Sequence, residues 1–232
     1  VKEGWKVFGI DIKYENNDAL GELSNNQLFK PLVCDLASED EVYKSMNIIQ
    51  KEAQSIDALI ACAGILRLGE LSQMSIEDFD LIFNVNVRGL WLSVSQSMPM
   101  LKNASKISGT ARIVLLSSVS ALRPKINSGA YSASKAAVSQ LTRVLAVECA
   151  KDNILVNAIA PGTVDTPMVR EQSSPDKQGN WRPSGPSPLG RISNPDDIVK
   201  VIKFLLDDNS SYVTGTTIPV DGGTQAAFIP PI

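Results

Sequence analysis

Apolar residues in this chain come in short unbroken runs, separated by longer amphipathic stretches from one end to the other. The runs Lys6–Asp11, Phe29–Cys34, Ala58–Ala61, Ala111–Ser117, Ile154–Ile159 and Thr216–Val220 are continuously apolar rather than alternating. Short continuous runs suit strands buried on both faces of a parallel sheet. The stretches between them carry helix signals. Ser38 with Glu41 forms a capping box opening a helix to about Gln54. Ser75 with Asp78 opens a longer helix reaching about Leu101, and Asn194-Pro195-Asp196-Asp197 places a cap, a first-turn proline and two acids before Ile198. The β-α-β rhythm predicts a three-layer α/β fold: a doubly wound, Rossmann-like parallel sheet with right-handed crossovers.

The chain of 232 residues is expected to form a single domain. One segment departs from the rhythm. Residues 171–188 are rich in Ser, Pro and Gly and carry Trp181, which predicts a substrate lid loop. At the other end, Val1-Lys2-Glu3-Gly4 reads as the last turn of a helix with its C′ glycine. A doubly wound domain should begin with a strand and a Gly-rich phosphate loop ahead of that helix. The sequence holds no G-x-G-x-x-G, so we expect a first strand and phosphate loop upstream of these residues, with the strand lying between Lys6–Asp11 and Ala58–Ala61.

Charge narrows the function. With 22 basic against 25 acidic residues the net charge is −3, and no basic run occurs, which argues against nucleic acid or an anionic membrane as partner. No apolar stretch approaches the length of a membrane span, and no signal peptide opens the sequence. Cys34, Cys62 and Cys149 are scattered and odd in number, as expected for buried thiols in a reducing cytoplasm. Histidine is absent. That excludes a Ser-His-Asp triad, a Cys-His pair and a His-ligated zinc site, and no metal site is expected. Acid–base chemistry must then fall to Tyr, Lys, Asp, Glu or Cys.

Tyr131 and Lys135 stand four apart in GAYSASKAAVSQLTRVLAVE, on one face of a predicted helix. An ammonium about 4 Å from a phenol is worth roughly 4 kcal/mol at an effective dielectric near 20, enough to lower a tyrosine pKa from about 10 toward about 7. Alone, Y-x-x-x-K is a weak signal. Its context strengthens it, because the strand ARIVLLSS ends in Ser117 and Ser118, and the carboxyl ends of strands are where open α/β sheets place ligands.

Ser118, Tyr131 and Lys135 at this spacing, with Asn86 in FNVNVRG upstream, resemble the short-chain dehydrogenases/reductases, a resemblance running from Val1 to about Gly223. It implies an enzyme acting on CH–OH or CH–CH donors with NAD or NADP. Tyr131 would be the general acid or base, Ser118 (or Ser117 or Ser120, if the register shifts) would orient the reacting oxygen, and Lys135 would bind the nicotinamide ribose. Asn86 would hold a water relaying protons to Lys135. Asp11, at the end of KVFGID, would accept the ribose hydroxyls of NAD and repel the 2′-phosphate of NADP. Asp35 and Leu36 resemble the adenine-contacting pair. Ala63 and Gly64 would turn over the cofactor, although Ala61 and Cys62 stand where the family usually has asparagines. Pro161, Gly162, Thr163 and Thr166 match the loop that meets the carboxamide.

Within the family, AGILRLGELSQMSIEDF, RPKINSGAYSASKAAV and PGTVDTPM resemble the bacterial 2,3-dihydro-2,3-dihydroxybenzoate dehydrogenases of siderophore synthesis. That implies a small cyclic diol acid as substrate, with Arg67 or Arg123 as its carboxylate partner. A 3-oxoacyl or sugar/polyol reductase is the alternative on the same scaffold, and a non-catalytic scaffold without cofactor binding is another. The resemblance also implies a homo-oligomer, a tetramer or dimer, with Ala133, Ala136 and Ala137 permitting close helix approach.

Overall fold

Side chains of the central strands divide between two faces, and the helices follow that division. In a computed structural model describing residues 1–14, 20–23, 25–172 and 187–227, strand β4 (Ala111–Leu116) sends Ala111, Ile113 and Leu115 to one side and Val114 to the other. Strand β5 (Ile154–Pro161) does the same with Ile154, Val156 and Ala158 against Ile159. The first set packs on helices α3 (Leu90–Ser108) and α4 (Gly129–Cys149) through Val94, Leu101, Val138 and Ala146. The second set meets Ile198 and Leu205 of α6 (Pro195–Leu206). Period-2 alternation in the strands thereby produces three layers.

All strand pairing is parallel. Strand β3 (Ala58–Ala61) joins β4, β4 joins β5, and β5 joins β6 (Thr217–Val220). Strand β1 (Val7–Asp11) pairs with β2 (Phe29–Val33) as a separate two-stranded ladder. Among the described residues no ladder joins β1 to β3, the position assigned from sequence to a further strand. The expectation of strands buried on both faces therefore holds for β4 and β5 but not for β1 to β3, where Val33 is 66% and Ile60 40% exposed. Helix α1 (Glu39–Ala53) covers the β1–β2 ladder with Val42, Met46 and Ile49, joined by Leu92 and Met100 of α3.

The expected long helix from Ser75 is in fact three pieces. Ser75 accepts the Asp78 N–H and opens α2 (Ile76–Phe83), a π turn spans Asn84–Gly89, and α3 follows. Predicted caps at Ser38 and Asn194 are both present, the latter as a reciprocal box with Asp197. The helix α5 (Pro167–Gln172) occupies the first two positions of the predicted lid, and the rest of that lid, including Trp181, lies outside the described residues apart from 187–188. Gly4 turns at φ +85° with its N–H on the Val1 carbonyl, as a helix-ending glycine would.

Candidate active site

Strand β4 delivers two serines to its carboxyl end, and they do different things. The Ser117 hydroxyl donates 2.9 Å to the Lys135 carbonyl and lies 2.8 Å from the Ser139 hydroxyl, pinning α4 to the strand. Ser118, in extended backbone at φ −163°, turns the other way. Its Oγ accepts the Ser120 N–H at 3.1 Å and shares a hydrogen bond with the Tyr131 hydroxyl. Both Ser118 and Tyr131 line a cleft of about 380 Å³ with apolar walls from Leu66, Val119, Pro124, Met168 and Val169.

Lys135 follows one turn after Tyr131 on α4 and is only 4% exposed. Its Nζ lies 5.8 Å from the centre of the Tyr131 ring and donates to the Leu116 carbonyl at 2.8 Å. Burial pushes the Lys135 pKa down to about 8, partly offset by the nearby Cys62 thiol. The sequence led us to expect a Tyr131 pKa depressed by this cation. The structure reverses that: burial of the phenol raises it, and the Ser118 hydrogen bond opposes the rise. The lysine charge is directed at a backbone carbonyl instead of the phenol oxygen.

Asn86 is fully buried within the π turn. Its Oδ1 accepts the Ile65 N–H at 2.8 Å, while Nδ2 donates to the Ile65 carbonyl at 3.0 Å and to Ser134 Oγ at 3.1 Å. A mid-helix Asn therefore pairs with the loop after β3 as a neighbouring strand would, which accounts for an otherwise poor helix residue at this position. Gly64 sits in the same loop. A Cβ there would come within 3.2 Å of Asn86 Oδ1 and 3.3 Å of Lys135 Nζ, so glycine leaves space beside the lysine. That space is bounded by the Lys135 ammonium and the Asn86 side-chain amide.

The remaining expected cofactor residues fall at strand ends. Asp11 closes β1 and is exposed. Asp35 Oδ1 caps the Ala37 N–H at 2.8 Å just beyond β2, and the Leu36 carbonyl lies against Gly89, whose Cβ if present would be 2.6 Å away. Pro161 ends β5, Gly162 and Thr163 line the cleft with Tyr131, and Thr166 precedes α5.

With this geometry in place, comparison with known proteins decides the family. A family model described as enoyl-(acyl carrier protein) reductase matches residues 1–225. The 3-oxoacyl-[acyl-carrier-protein] reductase of Thermotoga maritima is 36% identical over 225 residues, covering 96% of this chain and 88% of that protein. The 2,3-dihydro-2,3-dihydroxybenzoate dehydrogenase of Escherichia coli is 33% identical over 231 residues, covering 97% and 88%. The crystal structure of 3-ketoacyl-(acyl-carrier-protein) reductase from Brucella melitensis complexed with NADH superposes at TM-score 0.84 with 28% identity, covering 97% and 89%. The chain belongs to the short-chain dehydrogenase/reductase family. It is thus an oxidoreductase of the kind that acts on CH–OH donors.

In this family member the two arginines expected at the substrate lie apart. Arg123 lines the cleft, with Nη1 donating 2.8 Å to the Thr224 and Ala227 carbonyls. Arg67 is not among the cleft residues; it bonds the Leu66 carbonyl and faces Asp78 at 3.7 Å. Cys34 and Cys149 are buried as expected, but Cys62 is exposed. Even so, its thiol is desolvated enough to raise its pKa, with Lys135 opposing the rise. Lys125, on the cleft wall, was missed from sequence. The available signal was a lysine behind a proline six residues before Tyr131.

Proposed function

We propose that this protein transfers a hydride between NAD and a secondary alcohol or the corresponding ketone, on a small substrate of the cyclic diol acid type. The observation that carries the reading is that Ser118 and Tyr131 line one cleft together, with the Lys135 ammonium 5.8 Å from the centre of the Tyr131 ring. A nicotinamide cofactor, when bound, accepts the hydride in oxidation and supplies it in reduction. The chain's own groups handle everything else. Tyr131 exchanges the proton with the reacting oxygen, Ser118 orients that oxygen and opposes the rise in the phenol's pKa, and Lys135 holds the ribose. Asn86 fixes the loop on which Gly64 leaves room for the ring.

Asp11 at the end of β1 supports NAD over NADP, since a carboxylate there accepts the ribose hydroxyls and repels a 2′-phosphate. A second reading, a 3-oxoacyl reductase on the same scaffold, has the support of the 36% identity to a reductase of that name. The exposed Ala133 and Ala136 of α4, with Val144 and Val147 further along, support association of like chains along this helix. Titration with NADH, read by its fluorescence, tests the cofactor assignment. Saturable binding is expected, and Asp11→Ser should shift the NADH/NADPH affinity ratio toward NADPH by roughly tenfold or more. No binding at millimolar NADH supports a non-catalytic scaffold instead, and an unchanged ratio removes Asp11 from cofactor selection.

A further inference from the structure

One wall of the cleft comes from far along the chain. Thr224 and Gln225 line it together with Ser118 and Tyr131. They follow β6 in a turn organised by Asp221, whose Oδ1 accepts the Gly223 N–H at 2.9 Å and whose Oδ2 accepts the Gln225 N–H at 2.7 Å. The Thr224 hydroxyl donates to the Asp221 carbonyl at 2.7 Å. Gly222 at φ +59° and Gly223 at φ +89° allow the sharp reversal. Behind the turn lies more open space: Thr224, with Gly162 and Thr163, also lines a second cavity of about 210 Å³. A wall one turn thick with a cavity on each side has few packing contacts to keep it in place, so its position depends on what ties it down.

Arg123 supplies a tie. Its Nη1 donates to the Thr224 and Ala227 carbonyls, each at 2.8 Å, 101 and 104 residues away. The same stretch is closed on itself by the Ala227 N–H on the Gly223 carbonyl at 3.1 Å. Arg123 is anchored at its own backbone, where its N–H bonds the Val119 carbonyl at 2.9 Å. That bond lies in the turn in which Ser118 Oγ accepts the Ser120 N–H. The turn that places Ser118 therefore also fixes the Thr224–Gln225 wall. A guanidinium suits this role, because a charged donor bonds carbonyls more strongly than a neutral one.

We infer that Arg123 is a positioning residue: it pins the stretch Thr224–Ala227 against the cleft and thereby confines the substrate to a compact alcohol of one ring. This rests on the hydride-transfer reading and narrows it. The cleft of about 380 Å³ has to admit the hydride-carrying ring as well as the alcohol, so a fixed wall limits what fits beside Tyr131 and a loosened one admits more.

Oxidation of cyclohexanol and of the two-ring alcohol decahydro-2-naphthol by the whole chain with saturating NAD tests the inference, together with the affinity for each alcohol in the presence of NADH. The wild type should favour cyclohexanol in both measurements. Arg123→Met and Arg123→Leu should cut that preference at least about tenfold, the factor expected of a hydrogen bond to a charged group, through KM rather than kcat. Arg123→Lys, which can still donate to both carbonyls, should keep most of it. Deuterium exchange supplies a readout without turnover. The Gln225 and Ala227 amides should exchange at least about tenfold faster in the two neutral variants, while amides of β4 and β5 exchange as in the wild type. Two neutral variants are used so that one folding failure does not end the test. Binding of neither alcohol, no size preference in the wild type, a preference surviving both neutral variants, Arg123→Lys behaving as they do, or unchanged exchange at Gln225 and Ala227 each overturn it. An Arg123-dependent size preference in binding without oxidation of either alcohol sinks hydride transfer alone. Tyr131-dependent oxidation that ignores ring number sinks the Arg123 assignment alone.

Discussion

Lys135 carries its charge into the interior, and that placement sets the pH behaviour of the molecule. Its folded pKa of about 8 lies below the ordinary lysine value. The sign follows from proton counting. Below about 8 both folded and unfolded chains hold the proton, and the folded chain bears the full desolvation cost. Between about 8 and the ordinary value the unfolded chain keeps a proton the folded chain has released, so stability rises with pH there. Subtracting Lys135→Met from wild type in urea denaturation should show this as a gain on the order of 2 kcal/mol between about pH 8 and pH 10. Parallel curves for the two proteins would contradict it. The pairing of Tyr131 with Lys135 was readable from a four-residue spacing, but the direction of the tyrosine shift was not. Spacing places side chains on a common face and says nothing of what else each one bonds. Here the Leu116 carbonyl takes the ammonium, and burial governs the phenol.

Helix starts were legible because capping is local: Ser38, Ser75 and Asn194 each accept a backbone N–H three residues on. The π turn at Asn84–Gly89 was not, because it arises from tertiary contacts. Asn86 must meet Ile65 across to the loop after β3, and Gly89 must lie against the Leu36 carbonyl. An inserted residue in the helical repeat lets both occur on one helix. Gly89→Ala separates local from tertiary demands. Helix propensity alone favours alanine by about 1 kcal/mol. Against this, the added Cβ would lie 2.6 Å from a backbone oxygen and 2.9 Å from the Leu36 Cβ. Overpacking of that kind costs roughly 1–3 kcal/mol, so the net expectation is a lowered urea midpoint. A raised midpoint would show that the Leu36 loop moves aside at little cost.

Across the whole molecule, the cleft lies where an open parallel sheet places ligands, beyond the carboxyl ends of β4 and β5. The strand segments and the three layers were implicit in the apolar runs. The cleft wall was not, since Lys125 sits in the loop before α4 and Met168 and Val169 on the short helix α5, which no apolar periodicity marks. The site draws on four separate segments: the Ser118 strand end, the Tyr131 helix, the Asn86 π turn and the Gly64 loop. Each would be unremarkable alone, and together they set Tyr131 against the cleft, where we propose its phenol exchanges the proton. Replacing Tyr131 by Phe tests that directly, by comparing steady-state oxidation of a cleft-sized alcohol acid with NADH affinity in the same preparation. The account predicts that turnover falls at least about a hundredfold, as when a general acid–base is removed, while NADH affinity stays within about twofold. Turnover persisting near the wild-type rate would place the proton elsewhere and contradict it.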